Sequence, residues 1–103
     1  MDATRQIAAL SDNTRREIIN ILSIGPRSVA DIARQVPVSR PAVSQHLRVL
    51  KDAGLVRARS QGTRNVYYLD PKGMAALRDY LDALWQKALE QFKTKAEESS
   101  PSQ

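Results

Sequence analysis

Eight cationic side chains, Arg27, Arg34, Arg40, Arg48, Lys51, Arg57, Arg59 and Arg64, fall between residues 27 and 64, where the only anions are Asp31 and Asp52. That stretch carries +6 in a chain whose formal charge is +5, so the rest of the sequence is close to neutral. The chemistry open to such a stretch is pairing with phosphate oxygens, since Arg and Lys bound along a phosphodiester backbone release its condensed counterions. A plain solvated face has the same composition, so charge alone leaves the two readings level. Other chemistries are poorly supplied. There is no cysteine and one histidine, His46, which rules out disulfides, thiolate metal sites and a Cys–His nucleophile. Asp79, Asp82 and Glu90 read as a solvated helix face rather than a cation site. Without paired carboxylates, a phosphate-cradling glycine loop or an activated nucleophile, the chain is expected to be no enzyme, and nothing calls for a cofactor or a metal.

The elements that must carry the cations follow from periodicity and caps. The 103 residues suit one domain, expected over 1–95, with a polar, disordered tail over 96–103. Ile7 and Leu10, then Ile18, Ile21 and Leu22, keep helical spacing, broken by Asp12 as an N-cap and closed by Gly25-Pro26. Two helices are predicted there, the second over about Asn13 to Ser23. Ser28-Val29-Ala30-Asp31 is a loose capping box that opens a short third helix, stopped at Pro37. Ser39 caps a fourth, with Pro41 in its first turn, the stripe Val43, Leu47 and Leu50 on its inner side, and Ala53-Gly54 at its end. From Leu55 the period becomes two, and the turn Ser60-Gln61-Gly62-Thr63 leads back through Val66 to Leu69, a β-hairpin. Asp70-Pro71 opens a last helix over about Lys72 to Lys95. Its seam of Leu77, Leu81, Leu84, Ala88 and Phe92, widened by Tyr80, Trp85 and Leu89, is too long for a small core to cover.

A short helix, a tight break, a second capped helix and a basic hairpin make a mainly α fold, the winged helix-turn-helix. In that fold the fourth helix turns Pro41, Gln45 and Arg48 outward, with Arg40 and Ser44 on the flank. Arg suits bidentate contact with guanine and Gln with adenine, whereas Ser39, Arg40 and the helix N-terminal amides suit phosphate. Arg27, Arg57, Arg59, Gln61, Thr63 and Arg64 would form the wing and its flanks. Arginines on an edge strand also block sheet aggregation, and the two roles are compatible. His46 fits either a half-buried polar anchor or a phosphate contact.

The runs Ala9-Leu10-Ser11-Asp12-Asn13-Thr14-Arg15-Arg16-Glu17-Ile18, Ser39-Arg40-Pro41-Ala42-Val43-Ser44-Gln45-His46-Leu47-Arg48-Val49-Leu50, Ala53-Gly54-Leu55-Val56 and Val66-Tyr67-Tyr68-Leu69-Asp70-Pro71 resemble the ArsR/SmtB family of bacterial winged-helix repressors. The likeness spans about residues 4 to 93. It implies a two-fold dimer through the first and last helices, which would place Ile7, Leu10, Leu77, Leu81, Leu84, Trp85, Ala88 and Phe92 at the interface, and a fourth helix that reads operator DNA. Members that sense metals use cysteines in the third helix or Asp/His pairs in the last, and neither occurs here, which implies the metal-independent branch. Asn13 stands where the family commonly has proline, a harmless change just after a cap.

The expectation is a cytoplasmic homodimeric regulator, a repressor binding double-stranded DNA at an inverted repeat, with no membrane partner and an inducer left unidentified. A winged-helix module that binds protein, or a non-specific DNA binder, is the alternative.

Overall fold

The computed structural model describes residues 3–99. In chain order the elements are α1 (Ala3–Ala9), α2 (Asn13–Ile24), β1 (Arg27–Ser28), α3 (Val29–Ala33), α4 (Arg40–Asp52), β2 (Val56–Gln61), β3 (Arg64–Leu69) and α5 (Pro71–Ser99). The helix order and the hairpin agree with the sequence reading, and the caps explain the boundaries. Asp12 accepts the Arg15 amide at 3.0 Å, Ser28 the Asp31 amide at 3.2 Å and Ser39 the Ala42 amide at 3.3 Å, so α2, α3 and α4 each begin with one otherwise unpartnered N–H satisfied. Such a cap stabilises its helix by about 1 kcal/mol. Helix α4 ends in a Schellman arrangement: the Leu55 amide donates to the Leu50 carbonyl and the Gly54 amide to the Lys51 carbonyl. Gly54 sits at φ 81°, where a side chain would be strained.

Ile18, Ile32, Val43, Leu47, Leu50, Leu55 and Val56 are fully enclosed and form the core beneath α4. Each such side chain contributes roughly 1.5–3 kcal/mol through removal from water. Around them close Ala9, Leu22, Val36 and Ala53, with Leu10 partly buried at the edge.

Three features differ from the sequence reading. The sheet has three strands in the order β1-β3-β2, not two, because Arg27 and Ser28 pair antiparallel with Tyr67 and Val66 of β3. Leu77 is only 8% exposed and belongs to the protomer's own core, so it is withdrawn from the expected dimer face. The helix expected to stop near Lys95 continues to Ser99, since nothing between Ala96 and Ser99 breaks it; this corrects the expected tail for residues 96–99, while 100–103 lie outside the described residues.

Helix α5 is preceded by Asp70, a buried residue whose carboxylate accepts the Lys72 amide at 3.0 Å and whose own amide donates to the Leu55 carbonyl at 2.9 Å. Gln6 of α1 donates its side-chain amide to the Gly73 carbonyl at 3.0 Å, which fastens α1 to the root of α5. Gly73 and Leu77 are buried, but from Arg78 to Glu98 every residue is exposed. The helix therefore projects from the body. Its 29 residues amount to about 44 Å, and the radius of gyration of 18.7 Å exceeds the roughly 13 Å of a compact chain this size.

Candidate nucleic-acid interface

Packing of Val43, Leu47 and Leu50 inward fixes which side of α4 meets solvent, because residues three and four apart share a face. On the outer side Pro41, Ser44, Gln45 and Arg48 are all exposed, as are Ser39 and Arg40 at its start. None of these side chains is enclosed by the protomer. A helix presented in this way can enter a major groove about 12 Å wide.

The wing is built beside it. Strands β2 and β3 pair from Val56↔Leu69 to Gln61↔Arg64, leaving Gly62 and Thr63 as a two-residue loop. Gly62 has φ 64° and open space around the position of a Cβ, so backbone conformation rather than room favours glycine there. Alternation sends Arg57, Arg59 and Gln61 to one face, opposite Tyr68, Val66 and Arg64. The Arg59 guanidinium lies 5.2 Å from the centre of the Tyr68 ring, a cation–π contact that holds it while leaving its donors free to reach outward.

Two shallow grooves join the wing to the helix-turn-helix. One, of about 520 Å³, is lined by Arg27, Arg59, Gln61 and Arg64 together with Ser28 and Asp31. The other, of about 230 Å³, lies between the start of α3 and the wing tip, where Arg40, Thr63, Arg64 and Asn65 meet. The structure thus brings Arg27, Arg40, Arg59, Gln61, Thr63 and Arg64 onto one connected surface. Arg57 shares the outer strand face with Arg59 but lines neither groove.

One anion stands inside this cationic surface. Arg64 donates to Ser28 Oγ at 2.5 Å and to Asp31 Oδ2 at 3.3 Å, and Arg34 donates to Asp31 Oδ1 at 2.8 Å. The Asp31 carboxyl is held below the ordinary carboxylate value by the Ser28 hydroxyl first, against partial desolvation, and then by the Ser28 amide and the two arginines. Periodicity marked Ser28 and Asp31 only as a cap. Their second role, anchoring the wing, depends on contacts more than thirty residues apart in sequence.

His46 points elsewhere. Its ring is 21% exposed and faces α2, with Nδ1 3.4 Å from Nη1 of Arg15 and 3.9 Å from Oδ2 of Asp12. The ring is thus half-buried and in contact with Arg15. Arg15, which the sequence reading left unassigned, also donates from Nε to the Ala9 carbonyl at 2.6 Å. Asp12 is held below its ordinary value chiefly by the Arg15 amide, against desolvation, with help from the His46 ring, the Arg15 guanidinium and the Thr14 amide.

Away from this surface, Ile7 on α1 and Leu81, Leu84, Trp85, Ala88 and Phe92 on α5 are exposed, Trp85 at 61% and Phe92 at 74%. Among the described residues no cluster of His, Asp and Glu is arranged to hold a metal, and no helix is long and apolar enough to cross a membrane.

A helix pair whose second member is bare along its outer side, flanked by an arginine-rich hairpin, defines a winged helix-turn-helix protein. The family described as "Bacterial regulatory protein, arsR family" matches residues 12–58. The HTH-type transcriptional regulator Rv2034 of Mycobacterium tuberculosis is 60% identical over 81 residues, which cover 79% of this chain and 76% of that protein. The transcriptional repressor SdpR of Bacillus subtilis is 38% identical over 60 residues, 58% of this chain and 66% of that one. A homodimeric winged helix-turn-helix DNA-binding domain of Mycobacterium bovis, solved by NMR and described as a possible ArsR-family regulator, superposes with a TM-score of 0.67 at 32% identity, covering 85% of this chain and 82% of that one. The chain belongs to the arsR family and is a DNA-binding transcriptional regulator, not an enzyme.

Proposed function

We propose that the chain is a cytoplasmic repressor that binds an inverted-repeat operator as a homodimer, without a metal or thiol sensor. The observation that carries the reading is the exposure of Gln45 and Arg48 on α4 beside a wing that gathers Arg27, Arg59 and Arg64. In this reading Gln45 and Arg48 read base edges, with Ser44 and Pro41 setting how close the helix approaches. Ser39, Arg40 and the α4 amides hold phosphates, and Arg57, Arg59, Gln61, Thr63 and Arg64 follow the flanking backbone. His46 acts from behind the helix rather than on the DNA.

Dimerisation is supported by the bare apolar face of Leu81, Leu84, Trp85 and Phe92 with Ile7 nearby, and by the homodimeric state of the Mycobacterium bovis domain. A two-fold pair presents its reading helices about one DNA turn apart, which is why an inverted repeat is the matching site. Repression is the simplest output of such a complex, since a dimer seated across a promoter excludes polymerase, and the likeness to SdpR points the same way.

The test is the salt dependence of binding. If each protomer neutralises about three to four phosphates, log K against log salt slopes at around −6. A slope near zero rejects the proposal, and a steep slope with equal affinity for all duplexes reduces the protein to a non-specific binder.

A further inference from the structure

The inner stripe of α4, Val43, Leu47 and Leu50, holds the helix down by apolar contact, which has no preferred direction. A directional contact at the edge of the helix adds to the shape of this packing in fixing its rotation. His46 supplies such a contact: it precedes Leu47, is half-buried, and meets Arg15 of α2 and its N-cap Asp12. A guanidinium only donates, so a hydrogen bond at this contact requires Nδ1 as the acceptor, with the proton of the neutral ring on Nε2. Arg15 is itself immobilised, because its Nε donates at 2.6 Å to Ala9, the last residue of α1. Helix α1 is in turn fastened to α5 through Gln6 and Gly73.

We propose that His46 is a positioning residue for DNA reading: through Arg15 its neutral imidazole locks the rotation of α4 against the corner between α1 and α2, and a proton on Nδ1 opens that lock. The inference rests on the DNA-binding function proposed above. Protonation removes the lone pair that Arg15 uses and sets two cations 3.4 Å apart, while the Asp12 carboxylate at 3.9 Å becomes the favoured partner. The charged groups that meet the ring are Asp12, the N-cap of α2, and Arg15 in its first turn, and the Ala9 carbonyl at the end of α1 holds Arg15. One turn away on α4 stand Ala42, Val43, Val49 and Leu50, none of them charged. Because the same Nδ1 faces both groups, exchanging Arg15 for Asp12 removes the contact that ties this edge of α4 to Arg15, and with it the fixed placement of Gln45 and Arg48 on the same helix.

The experiment uses the full chain, a duplex selected by the protein from a random-sequence pool, and a scrambled duplex of the same length. Affinities for both are measured at constant salt at about pH 8 and about pH 5.5. The native protein is expected to lose about tenfold in the ratio of selected to scrambled affinity on acidification, the size of one lost hydrogen bond to a charged group. His46→Asn keeps an acceptor near the position of Nδ1 and cannot titrate, so its ratio is expected to stay high and flat. His46→Leu lacks the acceptor and is expected to show the low ratio at both pH values. A DNA-free measurement guards against variants that fail to fold: over the same pH range the Nε–H resonance of Arg15 in the native protein should shift together with the ring resonances of His46, the chain's single histidine.

A pH-independent ratio in the native protein, a His46→Asn variant with the native pH dependence, or an Arg15 resonance that ignores the imidazole each overturns the inference. A phosphate role for His46 would instead raise affinity for both duplexes together in acid, and that outcome also overturns it. Failure to select any preferred duplex at pH 8 rejects the proposed function and this inference with it, whereas a preferred duplex with a pH-independent ratio rejects the inference alone.

Discussion

Arg64 on β3 reaches Asp31 on α3, Nη2 to Oδ2 at 3.3 Å, and so ties the wing to the helix-turn-helix by an ion pair at the solvent surface. The same arginine lines both grooves of the cationic surface, so its carboxylate partner competes with any phosphate that binds there.

Asp31→Asn is therefore expected to strengthen DNA binding by a few fold for every sequence and to steepen the salt slope by about one unit per protomer as Arg64 becomes available. The amide still serves the helix start, so thermal stability should fall only slightly. Titration of a fluorescent duplex across a range of salt concentrations measures both quantities; unchanged affinity and slope would show that Arg64 binds no phosphate.

Substitutions on the two parts of the surface should separate. Gln45→Ala and Arg48→Ala are expected to cost about 1–3 kcal/mol on the preferred duplex and little on random DNA, while Arg57→Ala and Arg59→Ala weaken both alike. Competition between selected and scrambled duplexes distinguishes these patterns. Equal losses on both DNAs in all four variants would remove base reading from α4.

Leu77 and Leu84 lie two turns apart on α5 but face different surroundings, one 8% and the other 45% exposed. Leu77→Ala should cost about 2–5 kcal/mol of folding stability, as core truncations do. Leu84→Glu should leave the protomer folded and dissociate the dimer. Sedimentation and urea melts at two protein concentrations check the pair; a Leu84→Glu protein that still sediments as a dimer contradicts the proposed interface.

Acid should act partly through Asp12. Folding lowers its carboxyl below the ordinary value, so the unfolded chain binds the proton more readily, and the stabilisation is complete above about pH 4 and fades as the pH falls through the lowered value. Asp12→Asn keeps a capping side chain without the charge. It is expected to melt at a lower temperature than the native protein at neutral pH, with the gap closing as the pH falls through the lowered carboxyl value. A gap that persists unchanged in strong acid would show that the charge is not its source.

Much of this was legible in the sequence because caps and periodicity are local. Asp12, Ser28 and Ser39 announce three helix starts, and the stripe Val43, Leu47 and Leu50 settles which residues of α4 face outward. What escaped depends on contacts across the chain. Strand β1 is two residues long and has no period of its own; it exists because Tyr67 and Val66 offer it a partner. Leu77 lies in register with Leu81 and Leu84, and spacing cannot tell a residue buried by its own core from one left for a second copy. The second roles of Asp31 and Arg15 likewise became visible only once α3 met β3 and α2 met α4.

The outward reach of α5 beyond Leu77 has a bearing on gene dosage. If two chains must close over Leu84, Trp85 and Phe92 before either can hold an operator, then at low abundance the occupied fraction grows with the square of the number of chains made. Such a switch ignores stray synthesis and responds sharply once a threshold is passed, a property that resides in the bare side of one helix.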